Sequence, residues 1–179
     1  MAHRWTRIRK EAKELLSRFE IQEPPVPVQR LARGCGARIV SVPGKDGDID
    51  GFLYRDGDEV VIGVNRDRAA VRRRFTIAHE LGHLRLHEQG QVHVDRGFRV
   101  RLRSGVSSEG TDWEEMEANR FAAELLMPVD FLRDDLKGQE FDLADDNELR
   151  LLARRYGVST QALAIRLNGL GYSIEAVSG

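Results

Sequence analysis

The chain has one cysteine, Cys35, in 179 residues. No disulfide can form within it, which excludes a disulfide-stapled scaffold. Between Gly34 and Gly36, Cys35 reads as a small buried residue at a turn, not as a nucleophile. Long apolar runs are missing too, and none approaches the ~20 residues that a membrane helix needs. The basic start Met1-Ala2-His3-Arg4-Trp5 has no apolar segment behind it. The expectation is therefore no signal peptide, no membrane contact and a cytoplasmic location. Charge of one sign is also lacking: 28 Lys and Arg stand against 29 Asp and Glu, a net charge of −1. That balance lacks the surplus of cations expected of a nucleic-acid binder. Repeats and low-complexity tracts are absent. What is present is 41% apolar residues, enough for a core, in a length suited to one compact domain or one domain with a small extension.

Periodicity organises the chain. Trp5, Ile8, Ala12, Leu15 and Leu16 share one side of a helix over Trp5 to Phe19. Pro24-Pro25-Val26-Pro27 is a stiff extended connector. A short helix over Val28 to Arg33 and a strand over Ala37 to Val42 follow. A hairpin runs from Gly51 to Tyr54, turns at Asp56-Gly57 and returns over Glu59 to Val64. A long helix then extends from about Arg68 to His87. Further on, Phe98-Arg99-Val100-Arg101-Leu102-Arg103 alternates strictly, which is strand periodicity with one basic face. A solvated hairpin is the plain reading. The sharper one is that Arg99, Arg101 and Arg103 dock a peptide substrate at a sheet edge.

The long helix carries the chemistry. Thr76-Ile77-Ala78-His79-Glu80-Leu81-Gly82-His83-Leu84 contains H-E-x-x-H. Residues four apart share a helix face, so His79 and His83 can offer two imidazoles to one metal ion. Glu80 lies beside that face as a candidate general base. A catalytic zinc keeps about three protein ligands and one open position for water. The flanking Phe75, Ile77, Ala78, Leu81 and Leu84 make the helix a buried one, and a Glu among them needs a reason. Gly82 inside the helix costs ~1 kcal/mol relative to Ala, which a close approach of another backbone or of the metal site would explain.

A third ligand is sought in a second helix, Trp113 to Met127, which Pro128 helps to end. Its apolar face runs through Ala118, Phe121, Ala122 and Leu125. Glu117 groups with Arg120 and Glu124 as a solvated, charge-paired face. Glu114 and Glu115 can both point inward, and periodicity does not separate them.

Together, His79-Glu80-Leu81-Gly82-His83 and Glu115-Met116-Glu117-Ala118-Asn119-Arg120-Phe121-Ala122-Ala123-Glu124-Leu125-Leu126-Met127-Pro128 resemble the ImmA/IrrE family of zinc metallopeptidases. The pairing of the two motifs is more specific than either alone, and the resemblance runs from about Val26 to about Gly171. It implies that Glu115 is the third zinc ligand and that Asn119, one turn on, supports the ligands from behind. It implies a small gluzincin-like zincin domain of the α+β class, in which a mixed sheet covers the active-site helix. One Zn2+ per chain is the implied cofactor, with Mn2+ or another divalent metal as an alternative. Family members cleave helix-turn-helix repressors inside bacterial cells, switching on stress-response or mobile-element genes. The implied partner is such a repressor.

Two more histidines, His87 and His93, lie near these motifs. His87, four residues past His83, would close the open metal position if it were a ligand, so it reads as structural or supporting. His93 lies on a loop that can fold over the site and is a candidate for stabilising the transition state. Leu149 to Leu167 reads as helix, Gly157 turn, helix, with Ser159 as N-cap, a pattern similar to a DNA-binding helix-turn-helix. Asp145, Asp146 and Glu148 offset its arginines, so packing is favoured over DNA binding. The division expected is an N-terminal helix and linker over 1–25, a zincin domain over 26–135, and a helical subdomain over 136–179. The oligomeric state is not legible. The rival function is a DNA-binding or partner-binding regulator that keeps a zinc site without catalysis.

Overall fold

The computed structural model describes residues 2–44, 49–87, 92–95, 109–137 and 145–172. Among these, the order is α1 (Ala2–Arg18), α2 (Val28–Gly34), β1 (Ala37–Val42), β2 (Gly51–Asp56), β3 (Glu59–Asn65), α3 (Ala70–Leu86), β4 (Val92–Asp95), α4 (Glu109–Leu126), α5 (Val129–Leu136), α6 (Asp146–Tyr156) and α7 (Thr160–Gly169). The class is α+β. Arg99, Arg101 and Arg103 lie outside the described residues.

The sheet is mixed, in the order β1-β3-β2-β4. β1 and β3 run parallel, while β2 is antiparallel to both β3 and β4. Alternation sorts the two faces. Leu53 and Ile62 pair across β2 and β3, and both are buried on the face that meets α3. Phe52 points the other way and covers Gly63, where a Cβ would collide with its ring. Gly57, at φ 55°, turns the hairpin in a conformation that costs glycine little.

α3 and α4 form the spine of the molecule. Ile77, Ala78 and Leu81 of α3 and Ala118, Phe121, Ala122 and Leu125 of α4 are all buried. Gly82 sits at the crossing, where a Cβ would fall 3.1 Å from Ala118 Cα and 3.2 Å from its carbonyl oxygen. The helix cost of this glycine is thus exchanged for close backbone approach. α1 lies along α4 and buries Ile8, Ala12, Leu15 and Leu16; it begins at Ala2, earlier than the sequence pattern indicates.

The C-terminal pair is tied to this spine. Gly157 ends α6 in the left-handed region at φ 64°, and the Ser159 side chain caps α7 by accepting from Ala162 N–H. Arg166 of α7 is buried and reaches back to α4, donating to Met127 O at 3.1 Å and to Glu124 Oε1 at 3.0 Å. Glu124 is therefore not on a solvated face, contrary to the helical pattern: it is 3% exposed. Arg120 at 2.8 Å and Arg9 at 3.6 Å complete its surroundings. Burial raises the Glu124 carboxyl, but the hydrogen bond and charge of Arg166, with Arg120 and Arg9, outweigh it and hold the group below the ordinary carboxylate range.

Candidate metal centre

Helix periodicity places His79 and His83 one above the other on α3, at 2% and 3% exposure, with Glu80 fully buried beside them. Their Nε2 atoms are 3.1 Å apart. α4 brings Glu115 against them: Oε2 is 3.4 Å from His79 Nε2 and Oε1 is 3.4 Å from His83 Nε2. Glu114 faces elsewhere, lining a cavity with Arg4 and Arg7. Burial thus separates two glutamates that periodicity alone left equivalent.

His93 joins them. It lies on strand β4, not on a loop, with its Cα registered to Leu53 of β2. The same pleat that turns Leu53 toward α3 turns His93 toward the cluster. His93 Nε2 is 2.9 Å from Glu115 Oε1, and its ring centroid is 3.8 Å from that of His83. One donor atom from each of His79, His83, His93 and Glu115 lies within 4.8 Å of all the others. His93 was legible as a polar residue between Val92 and Val94, since period two sets it on the face opposite to theirs. Its place beside Glu115 was not legible, because β4 reaches the site only through its pairing with β2.

The donor set fits zinc. Tetrahedral zinc with bonds of ~2.05 Å has edges of about 3.3 Å between ligand atoms. His79 Nε2 and His83 Nε2, 3.1 Å apart, and the two Glu115 oxygens, each 3.4 Å from one of them, lie at separations of that order. The electrostatics agree. Burial, aided by the neighbouring His79 and His93 and only partly offset by the hydrogen bond and charge of Glu115, pushes His83 down to about 3. His83 is therefore a neutral imidazole near pH 7, the form that donates to a metal.

Surrounding groups hold these side chains. His79 Nδ1 is 3.0 Å from Asn119 Oδ1, and His83 Nδ1 is 3.1 Å from His87 Nδ1. His87 Nε2 is in turn 3.0 Å from Glu117 Oε2, so Glu117 serves this chain and not only a solvated face. Arg55 of β2 donates to His83 O at 2.7 Å and to His87 O at 2.9 Å, satisfying carbonyls at the end of α3. Glu80 sits under the start of β2, where a Cβ on Gly51 would come 3.6 Å from Glu80 Oε1 and would collide with Thr76. Only glycine lets that strand pass so close to the helix.

Over 98 residues the chain is 35% identical to "Uncharacterized immunity region protein 2" of Bacillus phage phi105, covering 55% of this chain and 56% of the phage protein. The fold is similar to that of a Mycobacterium tuberculosis transcriptional regulator, with a TM-score of 0.63 at 19% identity, covering 91% of this chain and 46% of the regulator. At that identity the likeness is one of fold alone. The chain spans about half the length of each of these two relatives. Among the described residues no helix is long and apolar enough to cross a membrane. Residues 32–168 match the M78 peptidase family profile, described as the IrrE N-terminal-like domain, and the chain belongs to that family.

Proposed function

We propose that this protein is a zinc-dependent endopeptidase that cuts one bond in a regulatory protein, a helix-turn-helix repressor, and so derepresses stress-response or mobile-element genes. The observation that carries this reading is the convergence of His79, His83, Glu115 and His93 donor atoms within 4.8 Å, beside the fully buried Glu80. In this reading His79, His83 and Glu115 hold the metal. A zinc ion held there would supply Lewis acidity towards the scissile carbonyl and would lower the pKa of water. Glu80 accepts the proton lost by the attacking water and returns one to the departing amine. Asn119 keeps His79 turned toward the centre. His93, on the edge strand, offers an N–H to negative charge that develops on the carbonyl oxygen.

The regulatory setting draws on the relatives, one named for a phage immunity region and the other a transcriptional regulator. DNA binding by the C-terminal pair is disfavoured by how its cations are used. Arg150 pairs with Asp146, Arg155 pairs with Asp135, and Arg166 is buried on Glu124. Few charges are left for phosphates.

The test is intact-mass analysis of the helix-turn-helix repressor encoded nearest the gene, incubated with zinc-loaded wild type and with Glu80→Gln. A single defined cut by the wild type only is the expected result. A stable complex that neither protein cuts would instead favour the partner-binding regulator.

A further inference from the structure

The geometry points to His87 and Glu117 as positioning residues that decide which nitrogen of His83 is left bare for the metal. This rests on the metal-centre reading above and extends it towards α1, which lies outside the matched span of residues 32–168. The starting point is Glu117. An ionised carboxylate only accepts hydrogen bonds. His87 Nε2, 3.0 Å from Glu117 Oε2, therefore carries the hydrogen. When His87 is the neutral imidazole it has a single N–H, so its Nδ1 is bare and acts as an acceptor. His83 Nδ1, 3.1 Å away, must then be the donor. A neutral His83 with hydrogen on Nδ1 has its lone pair on Nε2, the atom facing His79 and Glu115. Each link forces the next, and the chain ends at the metal site.

His79 reaches the same state by a shorter route. Asn119 Oδ1 accepts from His79 Nδ1 at 3.0 Å, leaving Nε2 bare. Both imidazoles are thus oriented from α4, one by an amide and the other through a second histidine. The His83 arm continues beyond Glu117. Arg4 of α1 places Nη1 3.4 Å from Glu117 Oε1 and stacks over Trp113 with 5.8 Å to the ring centroid. A cavity of about 370 Å³, lined in part by Arg4, Arg7, Trp113 and Glu117, opens beside His87. The N-terminal helix therefore touches the far end of the device that sets His83.

The side-chain role of His87 is separable from folding. Arg55 already holds the backbone carbonyls of His83 and His87, and His87 is the C-cap of its helix. The experiment uses the full chain and measures zinc affinity by competition with a chromophoric chelator. Losing an outer partner of a ligating His weakens metal binding about 10–100-fold, and that is the loss expected for His87→Phe. His87→Asn, whose amide oxygen can accept from His83 Nδ1, restores most of it. Glu117→Ala weakens zinc by a smaller factor. Nitrogen-15 NMR of zinc-loaded wild type provides a readout that packing alone would not move: His87 is expected as the Nε2–H tautomer, and Glu117→Ala mixes its tautomers. Wild-type zinc affinity in both His87→Phe and Glu117→Ala overturns the inference. So does a His87 that carries its hydrogen on Nδ1. If wild type takes up no zinc, the metal-centre reading itself falls and takes this inference with it.

Discussion

Helix α4 buries two glutamates nine positions apart, and the two have opposite surroundings. Glu115, 7% exposed, meets three imidazoles, of which His83 is held neutral. Glu124, 3% exposed, meets three guanidinium groups from three helices. A buried carboxylate demands compensation. At Glu124 the compensating cations belong to the chain, so the result is a structural clasp joining α1, α4 and α7. At Glu115 the neighbours His79 and His83 turn lone pairs towards it, so the cation that suits the site is one that binds. The same residue type on the same helix becomes structure or chemistry according to what folds against it.

The largest effect expected separates chemistry from binding within the Glu115 region. Glu80→Gln should slow cleavage on the order of 10²–10⁴-fold, the usual contribution of a general base. Its zinc content, by metal analysis, should equal that of wild type. Loss of both together would mean that Glu80 is part of the donor set and the division of roles is wrong.

Next in size is the clasp. Glu124→Ala leaves Arg166 buried without its carboxylate, which costs about 3–5 kcal/mol by chemical denaturation. Replacing both partners, as in Glu124→Leu with Arg166→Met, should recover most of that loss. Glu115→Ala should do the reverse: little loss of stability in metal-free protein, and loss of zinc uptake. If Glu115→Ala destabilises the metal-free protein as much as Glu124→Ala, the contrast between the two sites collapses.

Metal removal sharpens the same contrast. At a free zinc concentration of 100 times its Kd, binding adds about 2.7 kcal/mol of stability. Chelation should lower the Tm of wild type, leave Glu115→Ala unchanged, and lower the Tm of Glu124→Ala by a shift similar to wild type.

The pH response of the clasp is smaller and follows from sign. The Glu124 carboxyl is held below its usual range, so its stabilisation is present above the unfolded value of ~4.3. It is lost as pH falls through the lower folded value. The Tm difference between wild type and Glu124→Gln should be flat near neutrality and shrink as pH drops below about 4. A difference that grows in acid would contradict the charge pairing.

The smallest effect tests the crossing that unites both regions. Gly82→Ala gains ~1 kcal/mol of helix propensity but places a methyl 3.1 Å from Ala118 Cα. Overpacking costs typically ~1–3 kcal/mol, so a net loss of about 1 kcal/mol is expected on denaturation.

Much of α3 was readable in advance because its information is local. The four-residue spacing of His79 and His83 sets them on one face wherever a helix forms. The apolar neighbours of Glu80 point to its burial, and Gly82 signals a close approach that proves to be the backbone of Ala118. Strands β1, β2 and β3 were readable for the same reason, from alternation and the turn at Gly57. Glu115 stood out from Glu114 only by family resemblance, because adjacent residues on a helix differ by a rotation that needs a packing partner to interpret. Glu124 was misread: its partner Arg166 lies 42 positions away, and no local pattern announces it.

By itself the sequence determined what short-range periodicity can encode: the helix that pairs His79 with His83 and the strands that cover it. Only the tertiary structure decided which of those donors meet. It turned β4 so that His93 faces Glu115, ran the chain of contacts from Glu117 through His87 to His83, and gave Glu124 three arginines. The physical reason is range. Helix and strand periods repeat within a few residues, whereas the charge balance of a buried carboxylate depends on segments far apart in the chain that are brought together by the packing of a shared core.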